Sequence, residues 1–385
     1  MSSLPRLLAL CLALTFASCQ ATTYTGHSFD LEFDRATAPT HIAAAQAEID
    51  AGQLEVALDR LFELHQTPSL DPADREVAGD LLNGTCVELI GILGDEVRPG
   101  RLKRIFNLEV PPRLRVEAGI AAAKAYLEDG ERVKSFRQVR AVEDAFPMHH
   151  LRMQAGDLLL ATGLDLAADD TTWFLFFSPA RDRALEVLDF LVIHYPFHPG
   201  CDQAYQTLGL LLEATDWDYR AIARYEDLVA YHPDSPLAGE AEARIPMLRL
   251  DQMDRDDYDR HEVLRAREEA AAWLQRYPGH PLTGEVEALL GDAAVRLVRG
   301  DLVVSRFYLE VEQAFGARLH AERALREAEL LGDLDLLAEA DELLATADAL
   351  AAAGGASELD MEDGEDTFEG DPTREEPVPG EVDAG

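Results

Sequence analysis

The chain has 385 residues, 73 acidic against 34 basic, and a formal net charge of −39. So acidic a surface excludes a nucleic-acid partner, whose phosphates demand a basic footprint, and excludes charge-driven docking on anionic headgroups. The length allows two ordinary domains, but a repeat array is not bound by that prior.

Residues 1–18 read as an export signal. Arg6 gives a short basic region, Leu7 to Ala17 an apolar run too short for a permanent span, and Phe16, Ala17 and Ser18 precede Cys19. Small residues before a cysteine at that place resemble a bacterial lipobox, from which Phe16 departs by not being aliphatic. The alternatives are an ordinary secretory signal and an uncleaved anchor. The resemblance implies that Cys19 is the acylated first residue of the mature protein, and several acyl chains together anchor stably. Gln20, not Asp, follows it, which is similar to lipoproteins bound for the outer membrane. The expected location is the periplasmic face of that membrane, with attachment through the lipid only. No later run is expected to reach a spanning length. Cys86 and Cys201 read as buried packing cysteines several repeats apart; a disulfide between them stays open in an oxidising compartment.

Residues 19–39 are polar and aperiodic and read as a flexible tether. Residues 40–147 read as N-terminal helix hairpins. His41 to Ala51 is Ala-rich and helical, Gly52 supplies the left-handed turn, and Ala57, Leu61 and Leu64 form the inner face of a second helix closing near Pro68. Asp71 or Asp74 caps the next helix, with Val77, Leu81, Leu89 and Ile90 inward. Residues 101–112 carry no readable period. From Arg113 the pattern returns as helix, Gly130 turn, helix and Pro147, with Tyr126, Phe136, Val139 and Val142 as core.

A helix from Met148 to Gly163 leads to an aromatic insertion, Trp173, Phe174, Phe176 and Phe177, and then to the helix ending at His194. The insertion reads as a cap buried between repeats, or else as an apolar wedge. Between His194 and Pro236 two Pro-marked turns bracket two amphipathic helices. Proline cannot donate to a helix ladder and restricts the residue before it, so each such turn stops one helix and starts the next. Pro147, Pro196, Pro233 and Pro278 mark the same punctuation at intervals of 49, 37 and 45 residues. Within the bracket, Tyr205, Leu208, Gly209 and Leu212 share one helix face and Ala221, Tyr225 and Leu228 the other, closed by Pro233. Small Gly209 and Ala221 allow backbones to approach while the tyrosines fill the volume beside them.

Pro246 is expected to break or kink the helix that follows. The loop near Asp254, Asp256 and Asp257 lacks the glycine and terminal glutamate of a calcium loop and reads as solvated, paired internally through Arg255 and Arg260. Leu290 and Gly291 restore the pattern, paired helices continue through Leu325, and charged helices to Leu350 cap the array. Residues 351–385 form an acidic tail with almost no hydrophobic face, the composition of a disordered segment.

The unit from Asp202 to Ser235 resembles a tetratricopeptide (TPR) repeat. That resemblance implies an all-α fold, a right-handed α-α superhelix of helix hairpins, with an ordinary helix bundle as the alternative. Over residues 148–350 the segments RALEVLDFLVIHYPFHP, YHPDSPLAGEA, WLQRYPGHP and LVRGDLVVSRFYLE are similar to the BamD family of outer-membrane lipoproteins, with Phe307 and Tyr308 matching its aromatic pair. The family implies a scaffold of outer-membrane β-barrel assembly that contacts the barrel-forming subunit and unfolded outer-membrane proteins. Arg296, Arg299, Arg306 and Tyr308 are then a candidate partner surface; the other reading is a polar outer face with Tyr308 in the core. The chain departs from the family in its extra N-terminal hairpins, its Trp173 insertion and its acidic tail.

No HExxH, GxSxG, phosphate loop or clustered Cys/His spacing occurs, so no catalytic residue, cofactor or metal is expected. His149, His150, His194 and His198 read as turn histidines. Function rests on protein–protein binding. The alternatives are a generic TPR lipoprotein of another envelope complex, such as a pilus, secretion or Tol-Pal accessory, and the helical arm of a cell-wall enzyme.

Overall fold

The computed structural model of the chain describes residues 27–169, 180–252 and 260–353. The export signal with Cys19, the Trp173 cluster, the Asp254–Asp257 loop and the tail from residue 354 lie outside the described residues. Among these there are fifteen α-helices and no strand: α1 Ala38–Asp50, α2 Leu54–Gln66, α3 Pro72–Asp95, α4 Pro99–Asn107, α5 Pro112–Glu128, α6 Arg132–Ala145, α7 Arg152–Ala167, α8 Ala180–His194, α9 Cys201–Glu213, α10 Asp218–Tyr231, α11 Ala238–Asp251, α12 Arg260–Arg276, α13 Thr283–Glu310, α14 Ala314–Leu331 and α15 Leu334–Ala353. The fold is the all-α array of TPR-like hairpins that the pattern predicts. Contacts divide it into two units, up to Ala241 and from Glu242, a boundary inside α11.

Each unit shows the contact pattern of stacked hairpins. A helix packs on its successor, and odd-numbered helices also touch one another: α1 on α3, α3 on α5, α5 on α7 and α7 on α9 in the N-terminal unit, α13 on α15 in the C-terminal one. First helices of successive hairpins thus form one layer and second helices cover it, as expected when units contact only their neighbours.

Five described turns joining first to second helix share one backbone geometry. A residue with positive φ, at Gly52, Val97, Gly130, Asp216 or Glu312, follows the helix. Its N–H bonds three residues back, and the next N–H bonds five back, as in Gly52 to Ile49 and Gln53 to Glu48 or in Asp216 to Glu213 and Trp217 to Leu212. This is the Schellman closure, which satisfies the orphan carbonyls at a helix C-terminus. Glycine fills two of the five sites, so the sequence exposes Gly52 and Gly130 and hides the rest.

Turns between hairpins have their own cap. The ring Nδ1 of His149, His198 and His280 accepts the N–H of Leu151, Gly200 and Leu282 at 3.2, 3.1 and 3.2 Å, and Ser235 Oγ takes that of Leu237 at 3.1 Å. The histidines at those three turns are caps for the helix that follows.

Several local expectations are corrected. Residues 27–37 pack on the first hairpin and are not a free tether: His27 Nδ1 lies 2.8 Å from the buried Asp59, and the Phe33 ring stacks on His41 with centroids 4.1 Å apart. The inner face of α3 is Ala78, Leu82, Cys86, Leu89 and Leu93, while Val77 is 46% exposed. The face is rotated by one residue because small Ala78 and Cys86 take the close-packed positions. By length and mean hydropathy (1.3) α3 also qualifies for a membrane span, against expectation. It packs on α1, α2, α4 and α5. The unreadable stretch after Arg101 is α4, with Leu102, Ile105 and Phe106 buried. Helix α11 runs through Pro246 without a break.

Candidate functional site

The predicted packing residues occupy the α9–α10 interface. Leu208, Tyr225, Leu228 and Ala221 are fully buried, Leu212 is 1% exposed and Tyr205 8%. A Cβ on Gly209 would stand 2.3 Å from the Tyr225 ring, so the ring lies against the glycine backbone and its hydroxyl reaches Glu213 at 2.9 Å. Pro233 is exposed. It acts through the turn and not through burial.

Helix α13, the longest described, carries the predicted partner residues. Its buried positions form two successive stripes. Val286, Leu289, Ala293 and Leu297 pack with Val263, Ala270 and Trp273, while Val298 and Leu302 pack with Ala324, Ala328 and Leu336. One rigid helix therefore serves two cores, and the sides of it that neither core covers are left to solvent. Arg299, Val303 and Phe307, four residues apart and so on one face, are exposed there, Phe307 by 57%.

The four candidate residues separate. Arg299 is exposed with no ion pair among the described residues. Arg296 lies 3.0 Å from Asp292 on its own helix. Arg306 is half-exposed and paired to Glu339 of α15. Tyr308 belongs to the packing: its ring stacks on His320 with centroids 5.8 Å apart, and a Cβ on Gly316 would meet it at 2.7 Å. Of the aromatic pair, Phe307 is therefore the outward member.

Behind Tyr308 stands a buried carboxylate that the sequence pattern did not single out. Asp301, 4% exposed, takes Arg260 Nη1 at 2.6 Å and His320 Nδ1 at 2.8 Å. A buried charge is tolerated only when paired and hydrogen-bonded. Arg260 thus ties α12 to α13, while the loop in which the sequence suggested its pairing lies outside the described residues. A second polar knot joins α6, α7 and the end of α8: Glu143 accepts Arg152 at 2.6 Å and the Tyr195 hydroxyl at 2.7 Å, with His149 beside it at 3.6 Å. Burial pushes the Tyr195 phenol up and the His149 imidazole down. Both clusters are cross-braces between helices.

Cys86 and Cys201 are buried free thiols, pushed up by burial to about 12 and about 11. At those values neither is a thiolate near neutrality, and Cys201 spends its S–H on the Tyr195 carbonyl at 3.2 Å. No cluster of metal-ligating side chains occurs among the described residues.

No protein-family model matches the chain, and no curated protein does. Among solved structures it is similar to Pseudomonas aeruginosa pilF, at 12% identity over 80% of this chain and 97% of that one, with a TM-score of 0.26. It is similar to the TPR domain of P58(IPK), at 13% identity over 83% and 80% with a TM-score of 0.24. A TPR protein from Parabacteroides merdae gives 14% over 81% and 99%, again at 0.24. TM-scores of this size carry no weight, and the fold stands on the hairpin geometry above.

Proposed function

We propose that this chain is a protein-binding scaffold of the cell envelope, without enzymatic activity, that presents the outer face of α13 to a partner. The observation that carries the reading is the row Arg299, Val303 and Phe307, two apolar side chains and a free cation aimed outward from a helix whose other faces are committed to two cores. Exposed aromatic and arginine side chains are the residue types that dominate binding energy once a partner covers them. The row lies inside the segment most similar to the BamD family, which supports the barrel-assembly subunit and unfolded outer-membrane proteins as partners. The lipobox-like residues before Cys19 support acylation there and residence on the periplasmic face of the outer membrane.

The test is a photo-crosslinking amino acid at Phe307, activated in native envelopes, with the same substitution at buried Leu302 as control. Recovery of a barrel-assembly subunit from position 307 alone supports the reading; recovery of a pilus or Tol-Pal component replaces the partner, and no adduct from either position contradicts it. Cys19→Ser in the same cells should move the protein to the soluble fraction. Unchanged fractionation would refute lipidation.

A further inference from the structure

The N-terminal unit holds a basic hollow in an otherwise strongly acidic chain. Four of the 34 cationic residues, Arg98, Arg101, Lys103 and Arg104, fall within seven positions. Local structure explains their placement: Val97 closes the α3–α4 turn at φ 52, Pro99 opens α4, and that short helix buries Leu102, Ile105 and Phe106, which leaves Arg98, Arg101 and Lys103 exposed while the half-buried Arg104 turns to Asp59. They line a cavity of about 530 Å³ whose apolar wall is Leu58 of α2 with Leu89 and Leu93 of α3. A second hollow of about 390 Å³ shares Lys103 and Asn107 with the first and continues to Tyr126, Lys134 and Arg137. The two hollows therefore adjoin along Lys103 and Asn107 of α4, a groove of two parts.

Six cations line the groove against one carboxylate, Glu55. Four of the six are paired locally: Arg98 lies 3.6 Å from Glu96, Arg101 2.6 Å from Glu55, Arg104 pairs with Asp59, and Lys134 lies 3.1 Å from Glu131. Lys103, at the junction of the two hollows, and Arg137 are exposed with no ion pair among the described residues. We propose that this groove binds an extended acidic polypeptide segment of a partner protein, one that alternates carboxylates with apolar side chains. Carboxylates answer Lys103 and Arg137, and apolar side chains fill the wall of Leu58, Leu89 and Leu93. Two adjoining hollows with cations in both suit an extended strand over a single compact anion. A phosphate polymer gains nothing from the apolar wall of Leu58, Leu89 and Leu93. The groove shares no residue with the α13 face, so either proposal can fail alone.

The experiment is fluorescence anisotropy of a labelled peptide EDLEDFED against the full chain, with the neutral peptide QNLQNFQN as control. Saturable binding of the acidic peptide only, weakened by added salt, is expected. Lys103→Glu with Arg137→Glu should weaken it about tenfold, the sum of two reversed partly exposed pairs. Arg299→Glu with Phe307→Ala should leave it unchanged. Circular dichroism checks that the variants keep their helices, and the salt series on the unaltered chain decides the matter if they do not. Equal binding of both peptides, indifference to salt, or stronger competition by a single-stranded oligonucleotide overturns the proposal. A rise in affinity on removing residues 354–385 overturns a partner as occupant and gives the groove to this chain's own acidic segment.

Discussion

Leu208–Gly209 in α9 and Leu290–Gly291 in α13 are the same pair of letters and different objects in the fold. At Gly209 a methyl group would collide with the Tyr225 ring at 2.3 Å; at Gly291 it would meet nothing within 4 Å. In the α9–α10 hairpin glycine makes room for a tyrosine. In the C-terminal unit the large ring is Trp273, fully buried, and the small residues packed with it are Ala243, Ala266, Ala270 and Ala293. The α13–α14 hairpin inverts the first arrangement, with Tyr308 on its first helix and Gly316 on its second. What recurs is the pairing of one large ring with a small residue. The position that supplies each partner changes from hairpin to hairpin.

The comparison breaks first at the rings. Tyr225→Ala and Trp273→Ala should each cost about 3 to 5 kcal/mol, because both side chains are fully buried and the cavity left behind cannot collapse. Chemical denaturation measures both, and a cost below about 1 kcal/mol for either would remove that ring from the core role given to it.

The turns sharpen it next. Glu312 and Asp216 hold the left-handed position that Gly52 and Gly130 hold elsewhere. Glutamate is the worse fit, since a Cβ there crowds the carbonyl and its side chain is too long for the local hydrogen bonds that help aspartate. Glu312→Gly should therefore stabilise the chain by about 1 kcal/mol, and Asp216→Gly by less. Equal effects in thermal melts would mean that glutamate and aspartate are equally strained at this position, against that ranking.

The smallest effect is a pH dependence in the N-terminal unit. Burial holds the His149 imidazole below its ordinary 6.5, among Glu143, Arg152 and His150. The folded chain thus refuses a proton that the unfolded chain accepts, and stability falls as pH drops through about 6.5. His149→Asn keeps an acceptor for the Leu151 N–H and removes the titration. The variant should lose less stability than the parent between neutral pH and about pH 5.5; an identical loss would assign the slope to other groups.

Proline and glycine made the hairpin register legible, because a missing N–H and a tolerated positive φ leave letters in the sequence. Where other residues adopt the same geometry, as at Val97, Asp216 and Glu312, the letters vanish although the hydrogen bonds persist. Small residues mislead in a related way. Gly291 reads like Gly209, yet nothing local reveals whether a ring stands opposite, and the buried face of α3 stands one residue away from Val77 and Leu81 because alanine and cysteine carry it. At the candidate site, the aromatic pair Phe307–Tyr308 was visible as a token, but only Gly316 and His320, in the next helix, decide that Tyr308 turns inward and Phe307 outward. The Asp301 brace depends on residues 41 and 19 positions away. No spacing rule reaches that far.

Glycine-to-alanine substitution at positions 209 and 291, followed by urea unfolding of each variant beside the parent, tests the account most directly. Gly209→Ala should destabilise by about 1 to 3 kcal/mol, because the Tyr225 ring has to leave its seat. Gly291→Ala should stabilise by up to about 1 kcal/mol, because alanine in an open helical position costs less conformational entropy. Opposite signs are the predicted result. The same sign at both positions would contradict the claim that one sequence pattern serves two different packings.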